Sequence, residues 1–149
     1  MANDIQGIEN LFRRVRKLAT DSRQVQKPLK AAGVVMLSSI QQNFKAQGRP
    51  QKWQKLSAAT IAGRRKGKGK GKAQILIDKG RLKNSHSMKV SSGGVEVGTN
   101  VIYAKRQHYG FPGGKGKGKS KTPARPFVMF QDEDFDTIGQ IFNRHIAGR

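Results

Sequence analysis

The sequence predicts an α+β fold, a small antiparallel β-sheet packed by N-terminal and C-terminal helices with two long basic Lys/Gly loops, in a single domain over residues 1–149. Three features predict it. Apolar residues recur at helical spacing in the first third of the chain and again at its end. Between them, apolar and polar residues alternate around a Ser/Gly turn. Two runs rich in Lys and Gly hold no apolar residue, so neither can bury anything.

Ile5, Ile8, Leu11, Phe12, Val15 and Leu18 are spaced by three and four, one apolar face of a first helix. Asp21 or Ser22 suits the cap of a second, in which Val25, Leu29, Ala32, Met36, Ile40 and Phe44 repeat at the same spacing. Pro28 is tolerable near its start, and Gly48 with Pro50 ends it. Trp53 and Leu56 follow, and Ser57 can cap a brief helix holding Thr60 and Ile61. The run 64–72 is expected to be a flexible basic loop. Asp78, Gly80 and Leu82 mark a turn or short helix. Met88 and Val90, then Val95 and Val97, alternate on either side of Ser91 to Gly94, which makes a hairpin. Tyr103 to Tyr109 is too short to assign. A second flexible basic loop covers 113–122, and Pro123 and Pro126 then hold an extended path into Phe127. Phe135, Ile138, Ile141, Phe142 and Ile146 form the face of a closing helix. Asp132, Glu133, Asp134 and Asp136 crowd its N-terminal end as a solvated group favoured by the helix dipole, and Arg144 and His145 suit its C-terminal end.

At 149 residues the chain fits one ordinary domain with a modest core. It has no cysteine, which excludes disulfides, thiolate zinc sites and cysteine nucleophiles and leaves the redox compartment open. No apolar run approaches the length of a membrane span, so no membrane partner is expected. The start lacks the continuous apolar core of a secretory signal, and Asp4 and Glu9 argue against a transit peptide. It reads as mature structure.

Charge is the strongest compositional signal. The formal net charge is +21, which nine acidic residues cannot neutralise. Such an excess predicts a polyanionic neighbour, nucleic acid or an acidic protein surface, bound less tightly as salt rises. The blander reading is a solubilising surface.

Enzymatic readings fare poorly. Gly113 to Ser120 satisfies the letters of a phosphate-binding loop. That loop works only between a buried strand and a helix whose N-terminus faces phosphate. Tyr109 to Pro112 do not read as such a strand, and Pro123 opposes the helix. His86, His108 and His145 show no metal-ligand spacing, and Ser85 beside His86 lacks an acid partner. No catalytic, cofactor-binding or metal-ligating residue is assigned, and no cofactor or small-molecule substrate is expected. The Lys/Gly runs contain no aromatic residue for base stacking, so their pattern suits sequence-blind phosphate contact.

Four islands resemble the phage virion morphogenesis family, the tail completion proteins of Mu-like and related tailed phages. The first is Phe44, Gly48, Pro50, Trp53, Leu56 and Thr60. The second is Leu76, Ile77, Asp78, Gly80, Arg81, Leu82 and Ser85. The third runs from Val95 through Gly98, Thr99 and Asn100 to Tyr103 and Ala104. The fourth is Pro123, Ala124, Arg125, Pro126 and Phe127, before a closing helix. Their order and spacing span about residues 35 to 146. In the family His-Gln precedes an aromatic and Gly; here Gln107 and His108 are reversed before Tyr109 and Gly110, so no role passes to His108.

The resemblance implies a non-enzymatic structural protein of the virion neck or upper tail, a tail completion or tail terminator component assembled in the host cytoplasm. It implies a homo-oligomeric ring, a hexamer by the family's habit, that joins the tail tube to the head connector. Arg64, Arg65, Lys66, Lys68, Lys70, Lys72, Lys115, Lys117, Lys119 and Lys121 are then the candidate DNA-facing or subunit-facing cations, with packaged DNA a further partner. The terminal helices would carry packing or ring contacts. The rival reading is a stand-alone, sequence-nonspecific nucleic-acid-binding protein, which the charge favours but no recognised motif supports.

Overall fold

The computed structural model describes residues 22–66, 73–115 and 120–147. The expected first helix, Ile5 to Leu18, lies outside them. Helix α1 (Ser22–Ala46) is the second expected helix, and its buried Ala32, Ile40 and Phe44 follow the predicted stripe. Pro28 stands in its second turn, slightly deeper than the first-turn position a proline prefers.

The end of α1 is built by backbone geometry. Gly48 N–H donates to the Asn43 carbonyl at 2.9 Å and Gln47 N–H to the Phe44 carbonyl at 3.3 Å, the paired bonds of a Schellman stop. Gln47 carries the left-handed turn at φ 58, and Gly48 follows at φ 109. The Gln47 side chain accepts from Ile75 N–H, and its carbonyl accepts from Trp53 N–H at 2.8 Å. The helix stop therefore also aims the next two segments.

Helix α2 (Ala58–Lys66) is capped by Ser57, whose Oγ accepts from Thr60 N–H at 3.2 Å. It runs through Arg64, Arg65 and Lys66, so the first basic loop starts later than expected. The reason is propensity: Arg and Lys prolong a helix, and Gly67 is the first residue of the alternating run that opposes one. Residues 67–72 lie outside the described chain.

Helix α3 (Arg81–Asn84) is a single turn entered through Gly80 at φ 78. Strands β1 (His86–Val90) and β2 (Val95–Thr99) pair antiparallel, with Met88 opposite Val97 and Val90 opposite Val95, as the alternation predicts. The hairpin lies directly on α1. A Cβ placed on Gly33 would stand 2.6 Å from Met88 Sδ and 2.8 Å from Val95 Cγ2, so a larger residue there would have to push these two side chains aside. Helix α4 (Ala104–Tyr109) occupies the stretch the sequence left unassigned. Helix α5 (Asp132–Ala147) closes the chain against α1. The architecture is α+β.

One apolar cluster joins these elements: Ile40, Phe44, Trp53, Ile75, Leu82, Val101, Ala104 and Phe127. Phe44 meets the Trp53 ring edge-on at 5.6 Å and the Phe127 ring at the same distance.

Beside the cluster lies a buried polar layer that the apolar pattern did not announce. Residues Arg125 to Phe130 belong to no helix or strand, so their backbone groups need other bonds. Trp53 Nε1 donates to the Pro126 carbonyl at 2.9 Å. Asn43 Nδ2 donates to the carbonyls of Phe127 at 2.9 Å and Met129 at 2.7 Å. Arg49 Nε donates to Asn43 Oδ1 at 2.9 Å, and its Nη1 reaches Glu133 at 3.1 Å. Asp134 is buried, accepting from Ser39 Oγ and from Gln131 N–H at 2.8 Å. The acidic start of α5 is therefore not uniformly solvated: Asp134 caps its own helix and anchors it to α1.

Candidate functional site

A cleft of about 690 Å³ is walled by residues from all four islands. Leu56 and Thr60 come from α2 and the segment before it, Gly80 and Leu82 from the turn into α3. Tyr103 precedes α4, and Pro123 and Arg125 come from the return segment. Other island residues lie in the core or away from the cleft. Trp53, Ala104 and Phe127 form the core beneath, and Pro126 supplies the carbonyl that Trp53 holds. Pro50 is exposed in the turn after α1, and Gly98 is exposed in β2 opposite Ser87; neither touches the cleft.

Arg125 is 6% exposed, and its Nε and Nη2 donate to the Gln54 carbonyl at 3.2 and 3.1 Å. Its N–H donates to the Gln107 carbonyl at 2.9 Å. The arginine thus ties the return segment to the approach of α2 on one side and to α4 on the other. Its pKa is lowered by burial and then by repulsion from Arg64, which marks the cleft as a place of crowded positive charge.

Both basic loops root in this cleft. Arg64 lines one wall, where Nη1 donates to the carbonyls of Gln74 at 2.7 Å and Ile77 at 3.3 Å, and Nε stands 3.9 Å from Asp78. It is a fixed support of the loop base and not part of a free arm. Ser120 and Lys121 also line the cleft. The second loop is closed at its base by an isolated bridge in which Phe111 and Thr122 exchange N–H to carbonyl bonds of 2.8 Å each way. Gly110 permits that closure at φ 77: a Cβ there would stand 2.7 Å from Ala124 N. Arg106 braces it, with Nε on Thr122 Oγ1 at 2.9 Å, Nη2 on the Ser120 carbonyl at 2.6 Å and its guanidinium over the Phe111 ring.

Lys115 is exposed at the start of the second loop and Lys121 at its end. Arg65 and Lys66 fall in the last turn of α2, and Lys68, Lys70, Lys72, Lys117 and Lys119 lie outside the described residues. Sequence reasoning missed Arg106 and the bridge, because neither an arginine on a short helix nor a lone Phe–Thr pair leaves a periodic signal.

The cleft's chemistry is electrostatic and apolar. Lys55, Arg64, Lys79, Arg81, Lys121 and Arg125 face it, against the single acid Asp78. Tyr103 in its lining is 43% exposed and Ile102, the preceding residue, 97%, while Tyr109 at the end of α4 is also open to solvent. No helix stands between Ser120 and α5, so the helix N-terminus that a phosphate-binding loop requires does not follow it. Among the described residues no group of three His, Asp or Glu is arranged to hold a metal. No described helix is long and apolar enough to cross a membrane.

The two histidines nearest the core act structurally. His108 Nδ1 accepts from Phe127 N–H at 3.4 Å, and its ring meets Phe127 edge-on at 5.0 Å. His86 packs between Phe44 and Phe127 with Nδ1 3.3 Å from the Lys83 carbonyl. Burial lowers the pKa of both, opposed at His86 by that carbonyl.

Compared with known families, residues 3–147 match the one described as the phage virion morphogenesis family. Comparison with curated proteins and with solved structures gives no match.

Proposed function

The chain belongs to the phage virion morphogenesis family, and on that premise we propose that it is a non-enzymatic structural part of the virion neck or upper tail. It works as a tail completion or tail terminator component, a homo-oligomeric ring between tail tube and head connector. The observation that carries this reading is the convergence of the island residues on one cleft from whose walls both basic loops emerge. A surface built that way suits docking: it has rigid walls, excess positive charge and exposed apolar groups at the rim, and no acid–base pair set for chemistry among the described residues. In a ring, symmetry repeats each loop and turns modest pieces into a strongly basic collar facing DNA or neighbouring subunits.

Imaging of particles from a phage whose copy of this gene is interrupted tests the proposal. Filled heads and finished tails that remain separate are expected, with joined virions restored by the intact gene. Normally joined virions would refute it. The net charge of +21 favours a second reading, a free nucleic-acid-binding protein. Light scattering separates the two: a stable monomer with tight, salt-sensitive DNA binding supports the rival.

A further inference from the structure

The cleft is positive, and the opposite charge it would need is present on the same chain. Asp132, Glu133, Asp134 and Asp136 are four of the nine acidic residues, all at the start of α5. Asp134 points inward to Ser39 and Gln131, but Asp132 and Asp136 are exposed and Glu133 keeps 70% of its side chain in solvent despite its contact with Arg49. Phe135 stands among them 58% exposed, an apolar knob in an acidic collar. The cleft has the complementary design: Lys55, Lys79, Arg81 and Lys121 are exposed along it, Tyr103 in its lining is 43% exposed, and Ile102, next to Tyr103 in the chain, is 97% exposed. The two surfaces share no residue, so occupation of one leaves the other open.

We propose that the cleft of one copy receives the acidic, Phe135-bearing start of α5 from the next copy, so that subunits join head to tail. The inference rests on the ring assigned above and names its contact. Like charges oppose cleft against cleft and knob against knob, which disfavours a two-fold pair through either surface. The crossed contact matches charge with charge and apolar with apolar, and repeated in one sense it closes a ring. A nucleic-acid backbone would match the cations alone and leave Ile102 and Tyr103 without an apolar partner.

The absence of cysteine makes the test clean. Lys79→Cys labels the cleft and Asp132→Cys the knob, both exposed positions that spare the core. A short bis-maleimide is applied to the purified chain and to particles carrying the same variants. The double variant is expected to give a ladder of linked oligomers, a mixture of the two single variants only dimers, and each single variant alone monomers. In parallel, Arg81→Glu and Asp136→Lys are each expected to weaken self-association about tenfold. Single variants that link as readily as the double would overturn the head-to-tail contact, and a double variant that links only into dimers would show a reciprocal pair and overturn it too. So would rings of unchanged mass in both charge reversals, although the ring itself would stand. Loss of duplex DNA binding in Arg81→Glu with no ladder would assign the cleft to nucleic acid and also overturn the proposal. A wild-type chain that is monomeric in solution and in particles would defeat contact and ring together.

Discussion

Asn43 holds three partners at once: two carbonyls of the return segment and the Nε of Arg49. Ser39, one turn earlier on α1, and Arg49, just past the helix stop, bind the start of α5, so one polar layer fastens both the return and the last helix to α1. Replacing Asn43 by Ala strands the buried Phe127 carbonyl, removes the acceptor of Arg49 Nε and leaves the Met129 carbonyl with Ser39 Oγ alone, so it is expected to lower stability by about 2–3 kcal/mol. Urea unfolding should show an earlier midpoint at unchanged slope. The sequence shows an apolar stripe beside these positions but not their burial, because a polar residue next to a stripe looks the same whether it meets solvent or a carbonyl. The histidines carry a pH dependence. Both have folded pKa values below the ordinary 6.5, so the unfolded chain binds more protons as pH falls through that value. Their contribution is complete above pH 6.5 and is lost below it. Protonation of His108 would also remove the acceptor used by Phe127 N–H. Melting temperature is expected to fall from pH 7.5 to pH 5, and less steeply in His108→Gln, whose amide oxygen can still accept.

At the scale of elements, the stop of α1 governs how the rest of the chain departs. Gly48 leaves at φ 109 with the backbone of Gln51 and Trp53 pressed against it; a Cβ would stand 2.5 Å from the Gln51 carbonyl oxygen and 2.6 Å from Trp53 N. Neither contact is with a side chain that can turn away. Gly48→Ala is expected to destabilise by about 3 kcal/mol, measurable by thermal unfolding. Helices α1, α2 and α5 and the hairpin were legible because each carries a period of apolar residues or a side-chain cap over enough length. The stop was legible as Gly48 and Pro50, although Gln47 makes the left-handed turn. Helix α4 has six residues, too few to display a period. The basic run concealed the end of α2, since Arg64 is held by carbonyls contributed from Gln74 and Ile77, beyond the run itself.

For the whole molecule, charge and packing are arranged separately. The core is small and apolar, and its polar flank pairs Arg49 with the acids of α5. Among the described residues most of the cations are exposed, where salt screens them. The islands were legible as an ordered set of motifs, and the cleft they wall was not. Its construction depends on Arg125 reaching the Gln54 carbonyl across 71 positions of sequence, a pairing without a local signature. The separation explains why composition points to an anionic neighbour while leaving open which surface would meet it.

The bridge between Phe111 and Thr122 pins both stems of the second Lys/Gly segment one strand-spacing apart, independently of what connects them. Chain length between those stems is then nearly decoupled from folding, since doubling a tethered insert raises its closure entropy by only about 0.6 kcal/mol. The segment is thus a natural port for variation: residues can be added, exchanged or removed there to suit a different mating surface while the scaffold below retains its geometry.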